Sequence, residues 1–150
     1  MYWSLTAGNH DTQADLNREQ VSELDRTYNH SLTLPNAANI SHAFNYVLPV
    51  YDHTGTNILF RLWFLDSGED SDCMGTGGYD CVRPDQVEWF REANKAIPDS
   101  DPSKGKGFLF VHIPLAEYIG LYNNDNFYGK RQEDICCWAL NTGLFAAMKE

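Results

Sequence analysis

The sequence predicts an α/β layered domain, and three observations carry that expectation. Short apolar runs at 43–52, 58–66 and 108–113 read as strands. Segments with helical spacing lie around them, at 17–28 and 84–97. The chain of 150 residues is 43% hydrophobic and 13% aromatic, enough to bury a core in one domain of ordinary size. Alternation of the two element types is the signature of a layered α/β arrangement.

Each element has a local cause. Residues 2–7 read as a short strand ended by Gly8. Asn17 and Gln20 have the spacing of a capping box, and Val21, Leu24 and Tyr28 follow at helical intervals. Residues 29–42 are polar, contain Pro35, and read as loop. The runs at 43–52 and 58–66 flank the turn "HTGTN" and predict a hairpin. The second run is apolar enough to be buried on both faces. A loop rich in Gly, Asp and Ser spans 67–82. Pro84 opens a helix at a position where its missing N–H costs nothing, and Val87, Phe90 and Ala93 or Asn94 give it an inner face. After a polar connector at 98–107, "FLFVHI" reads as a third buried strand. Pro114 starts a short helical piece to Tyr118 or beyond, 120–134 is loop, and 141–150 is helix. Trp63, Trp89 and Trp138 are assigned to the core.

Charge and cysteine content narrow the class. The net charge of -10 argues against non-specific nucleic-acid binding, which needs Lys and Arg to displace counterions. No run of 18 apolar residues exists, so no membrane partner is expected. The start "MYWSLTAGNHD" lacks the basic region of a signal peptide. Cys73, Cys81, Cys136 and Cys137 fit no zinc spacing. Cys73 and Cys81 bracket "CMGTGGYDC" and are compatible with a disulfide or with two thiols; Cys136 and Cys137 read as buried thiols. Two sequons, at Asn29 and Asn39, favour a secreted or lumenal setting.

Two motifs bear chemistry. In "GNHD", Gly8 permits a sharp exit from a strand, Asn9 offers a carbonyl oxygen, His10 a ring nitrogen and Asp11 a carboxylate. An Asx-type turn would use the same residues. His112 directly follows an apolar run, where imidazole serves as a metal ligand or as a hydrogen-bonded structural group. His30, His42 and His53 read as surface. Asp66, Glu69, Asp70 and Asp72 form an acidic cluster whose spacing is not that of an EF-hand, and which reads as a solvated loop.

With "GNHD" (8–11), the stretches "LNREQV" (16–21), "WFLDSGE" (63–69), "RPDQVEWF" (83–90), "FVHIPLAEY" (110–118) and "NTGLFAAM" (141–148) make the chain resemble the calcineurin-like metallophosphoesterase superfamily, in its purple-acid-phosphatase-like, Dcr2-type branch. The resemblance implies a layered α/β/β/α sandwich, here incomplete at both ends. It implies a hydrolase acting on phosphate monoesters by attack of a metal-bound hydroxide, with two metal ions (Fe, Zn or Mn). By position, Asn9 and His112 become ligands of one metal. His10 contacts the substrate phosphate and protonates the leaving group, and Asp11 orients His10. Tyr118 and the 123–129 loop fall where they would shape the substrate mouth.

The family pattern also needs an Asp-x-His, a Gly-Asp-x-x-Asp and a Gly-His-x-His, none of which is in this sequence. Residues 1–150 are therefore read as a partial metallophosphoesterase domain, inactive alone and holding at most one weak metal site. The two readings beside the phosphomonoesterase are a phosphodiesterase of the same superfamily and a non-catalytic binding module. The sequence leaves the oligomeric state open.

Overall fold

The computed structural model describes every residue except 38, 71, 125–127, 131 and 137–139. Along the chain run α1 (Arg18–Asp25), β1 (Tyr46–Tyr51), β2 (Ile58–Phe64), α2 (Pro84–Lys95), β3 (Gly107–Phe110), α3 (Tyr118–Tyr122) and α4 (Leu144–Ala147). The class is α/β, with a small mixed sheet in the order β1-β2-β3. The first pair is the expected hairpin: β1 and β2 are antiparallel, with Tyr46 opposite Phe64. The second pair is parallel, with Phe64 opposite Phe110. Pro49 is tolerated because β1 is an edge strand with no ladder bond to lose on its outer side.

The period of two along each strand divides the core. One face sends Trp63 into a cluster with Leu65, Val82, Val87, Phe90, Ile97, Leu144 and Ala147, joining β2 to α2 and α4. The other face sends Tyr46 and Phe64 into a cluster with Ala7, Ala43 and Phe44. On that face three aromatic rings stack across all three strands: Tyr46 on Phe64 at 4.6 Å and Phe64 on Phe110 at 5.1 Å between centroids. The two buried rings, Tyr46 and Phe64, each contribute about 1.5–3 kcal/mol, while Phe110 at the edge stays partly exposed.

Several expectations need correction. Residues 2–7 form no strand; Trp3 makes only an isolated bridge to Ser31. Burial of β2 on both faces is limited to its last residues, Trp63 and Phe64. β3 is not a buried strand, because Phe108 is 62% exposed on the open side of the sheet. The helix after Pro114 starts later, at Tyr118. Trp63 is buried and Trp89 half-buried, while Trp138 lies outside the described residues.

The largest departure is in α1. Its cap is the expected one, with the Asn17 side chain accepting from the Gln20 N–H and the Gln20 side chain returning to the Asn17 N–H. Of the expected apolar face Val21 packs against the core and Leu24 and Tyr28 are exposed, while the fully buried face is Arg18, Ser22 and Asp25. The helix is held by polar partners: Arg18 by Asp66, and Asp25 by the Trp3 indole N–H and the Ser31 hydroxyl.

Between the two apolar clusters runs a buried polar seam. Asp66 is fully buried, and each of its carboxylate oxygens takes two donors. Oδ1 accepts from Arg18 Nη2 at 2.5 Å and the Gly68 N–H at 3.0 Å. Oδ2 accepts from Arg18 Nε at 2.9 Å and the Ala43 N–H at 3.1 Å. A buried ion pair offsets its desolvation only when its remaining hydrogen-bonding capacity is met, as here. Buried Gln86 of α2 extends the seam by donating to Asn45 Oδ1 and the Asp66 carbonyl.

The loop after β2 is closed by a Cys73–Cys81 disulfide, which settles the alternative left open by spacing. Gly68 sits at φ +82, where any Cβ would fall 2.5 Å from the Asp80 carboxylate, so both conformation and space demand glycine. Cys136 is half-buried and Cys137 lies outside the described residues.

Candidate functional site

The loop after residue 7 and the loop after β3 meet. Asn9 Oδ1 lies 2.8 Å from His112 Nε2, across 103 residues of chain. Asn9 is nearly fully buried and His112 is exposed. The amide orientation follows from its other partner: Asn9 Nδ2 donates to Asp70 Oδ1 at 2.5 Å, and a carboxylate only accepts. The amide oxygen therefore faces His112, whose Nε2 carries the proton in this pairing.

Gly8 lets the two loops approach closely. A Cβ there would stand 3.2 Å from the His112 ring, so the imidazole rests on the bare backbone. The Gly8 N–H donates to Asp11 Oδ2 at 2.6 Å, and the Asp11 N–H to the Gly8 carbonyl at 3.4 Å. The turn in "GNHD" is thus a backbone turn from Gly8 to Asp11 closed by the Asp11 side chain reaching back, in place of the Asx-type turn expected, and it coexists with the converging side chains.

His10 points outward, with its side chain 66% exposed. Its Nδ1 lies 3.2 Å from Asp70 Oδ2. The carboxylate beside His10 is therefore Asp70, and Asp11, expected in that place, is engaged with its own turn. Asp70 also takes Gln13 Nε2 at 2.6 Å, so one loop carboxylate gathers Asn9, His10 and Gln13. The sequence placed Asp70 among solvated acids; a run of four carboxylates does not reveal which one will meet amides.

His112 lines an open cavity of about 410 Å³ together with Thr6, Phe110, Pro114, Tyr118 and Tyr122. Tyr118 thus does border the region beside His112, while 125–127 of the expected mouth lie outside the described residues. His30 and His53 are exposed as expected. His42 is not a surface residue: its side chain is 13% exposed and its Nε2 lies 3.6 Å from Asp80 Oδ2.

The pair fits one edge of a cation's coordination shell. Two ligands at right angles, each about 2.1 Å from a metal, stand about 3 Å apart, close to the observed 2.8 Å. Nitrogen and oxygen donors suit a borderline metal. Among the described residues, the one group of three close His, Cys, Asp or Glu side chains is Cys73, Asp80 and Cys81. Its two sulfurs are joined in the disulfide and offer no thiolate.

Comparison with known proteins gives a consistent set of relatives. The chain is 28% identical to "Probable inactive purple acid phosphatase 29" of Arabidopsis thaliana, over 97% of this chain and 41% of that protein. It is 27% identical to "Probable inactive purple acid phosphatase 14" of the same plant, over 99% of this chain and 41% of that protein. It is 29% identical to "Phosphatase DCR2" of Saccharomyces cerevisiae, over 79% of this chain and 21% of that protein. The chain spans about two fifths of the length of the plant relatives. No protein-family model matches it, and no solved structure does.

Proposed function

We propose that this chain, similar along most of its length to purple-acid-phosphatase-like proteins and to the Dcr2 phosphatase, is a segment of a metal-dependent phosphoesterase that hydrolyses phosphate monoesters. The observation that carries the reading is the meeting of Asn9 Oδ1 and His112 Nε2 at 2.8 Å. These two side chains would hold one of two di- or trivalent ions (Fe, Zn or Mn). Such ions, when bound, neutralise phosphate charge and activate water for in-line attack.

The remaining work belongs to the chain's own groups. His10 projects into solvent beside buried Asn9, so a phosphate ester approaches it from the open side. Asp70, facing Nδ1, holds the ring so that Nε2 points outward to contact the phosphate and give a proton to the leaving oxygen. Asp11 shapes the turn that presents both residues. A phosphodiester would meet the same groups, and phosphodiesterase activity is the variant of this reading within the superfamily.

One imidazole and one amide make a weak site, because affinity follows ligand number and charge. The chain alone is therefore expected to be inactive and to hold at most one ion. A non-catalytic binding role is the second reading, supported by the word "inactive" in the names of both plant relatives.

The test is NMR of the histidine rings during addition of Mn²⁺ and then of inorganic phosphate. Expected are selective broadening of His112 by Mn²⁺, a phosphate-dependent shift of His10, and no turnover of p-nitrophenyl phosphate by this chain alone. A His112 signal that stays sharp overturns the phosphoesterase reading. Turnover by the chain alone would overturn the incomplete site.

A further inference from the structure

The three segments that carry Asn9, Asp70 and His112 share no strand or helix, yet each is tied to two adjacent buried residues just beyond β2, Asp66 and Ser67. Asp66 grips Arg18 with both oxygens, and Arg18 Nη1 donates to the Gly8 carbonyl at 3.1 Å, one peptide before Asn9. The Gly68 N–H donates to Asp66 Oδ1, fixing the start of the loop that reaches Asp70. The Ile113 N–H donates to Ser67 Oγ at 3.0 Å, one peptide after His112. Arg18, Asp66 and Ser67 are all buried, so water does not compete for these bonds.

We propose that Arg18, Asp66 and Ser67 are positioning residues for the Asn9–His112 pair: Arg18 sets Asn9 from one side and Ser67 sets His112 from the other, with Asp66 as their common anchor. This inference rests on the reading of Asn9 and His112 as a cation-holding pair. Guanidinium suits the task because its planar fork meets both Asp66 oxygens and still has a donor for Gly8. A lysine keeps the charge and cannot span all three acceptors. A hydroxyl at 67 is the smallest group that accepts the Ile113 N–H there.

The experiment reads the tautomer of His112 by long-range ¹H–¹⁵N correlation in the full chain, without metal. The His112 signal is assigned through His112→Gln. In the native chain the proton is expected on Nε2, since Asn9 Oδ1 facing it only accepts. Arg18→Lys is expected to stay folded and to shift the tautomer ratio towards Nδ1–H by about fivefold, the loss of roughly one hydrogen bond's preference. Ser67→Ala, which removes one acceptor and almost no volume, is expected to move the ratio in the same direction and decides the question should Arg18→Lys fail to fold. Unchanged His112 tautomers in the folded variants overturn the proposal. Mn²⁺ broadening on the native chain is read separately, so a failed metal reading and a failed positioning role give different results.

Discussion

The amide oxygen of Asn9 and the Nε2 of His112 stand 2.8 Å apart although 103 residues separate them in sequence. Each satisfies the other, and Asn9 passes its second hydrogen-bonding group to Asp70. A bridge of this kind is sensitive to removal of the amide. Asn9→Leu keeps the volume and deletes both contacts. We expect Mn²⁺ to broaden His112 at least tenfold more weakly, because loss of a ligand costs no less than the roughly 10–100-fold that loss of a supporting group costs. Stability should fall by about 1 kcal/mol per lost bond. Paramagnetic broadening and urea denaturation measure the two effects on one sample, and an unaltered Mn²⁺ response would remove Asn9 from the ligand set.

Much of the frame was readable because its signals are local. The capping box at Asn17 and Gln20, Pro84 at the start of α2, and the turn between β1 and β2 each act within a few residues. The inner face of α1 was only partly readable. Spacing selects Val21, Leu24 and Tyr28; of these Val21 packs against the core, while the fully buried face is Arg18, Ser22 and Asp25. Those side chains are buried because Asp66 lies 48 residues away in sequence and Trp3 lies 22 away, and no local pattern encodes either. The exposure of Phe108 likewise depends on what covers the sheet and not on the apolarity of the strand. At the site, Asn9, His10 and His112 were legible through a motif, and Asp70 was hidden among equivalent carboxylates.

The disulfide offers a second prediction. Cys73 and Cys81 are 8 residues apart and close the loop that begins near Asp70. Cross-linking so short a loop restricts the unfolded chain by about 2–3 kcal/mol in the chain-entropy model. The double variant Cys73→Ser, Cys81→Ser should lose that amount in urea unfolding, and a phosphine reductant should reproduce the loss in the native chain. Equal unfolding midpoints with and without reductant would contradict the bond.

Tyr46 gives a pH dependence with a definite sign. Burial, the largest cause, pushes its hydroxyl up to about 12, and the charge of Asp25 adds to this against opposing hydrogen bonds from Thr33, Ser4 and Leu5. In the unfolded chain the group titrates near 10. A raised folded value means the unfolded state loses its proton first. The stabilisation is fully present below pH 10 and is lost as pH rises from there through about 12. Unfolding midpoints measured across this window should fall in the native chain. They should fall less in Tyr46→Phe, which also loses the bond to the Leu5 carbonyl and starts from a lower stability. Identical alkaline slopes in the two chains would exclude Tyr46 as the source.

Gly8 supplies the last test, because it separates two reasons for a glycine. Its backbone is not left-handed; what it provides is space, with the His112 ring lying where a Cβ would come within 3.2 Å. Gly55 is the opposite case, at φ +73 with nothing within 4 Å. Gly55→Ala should lose about 1–2 kcal/mol through left-handed backbone strain and leave the His112 ring signals where they are. Gly8→Ala should displace those signals and weaken the Asn9 contact, with an overpacking cost of about 1–3 kcal/mol. If instead both alanine variants lower stability and neither moves His112, the imidazole does not rest on the Gly8 backbone and the close approach of the two loops is disproved.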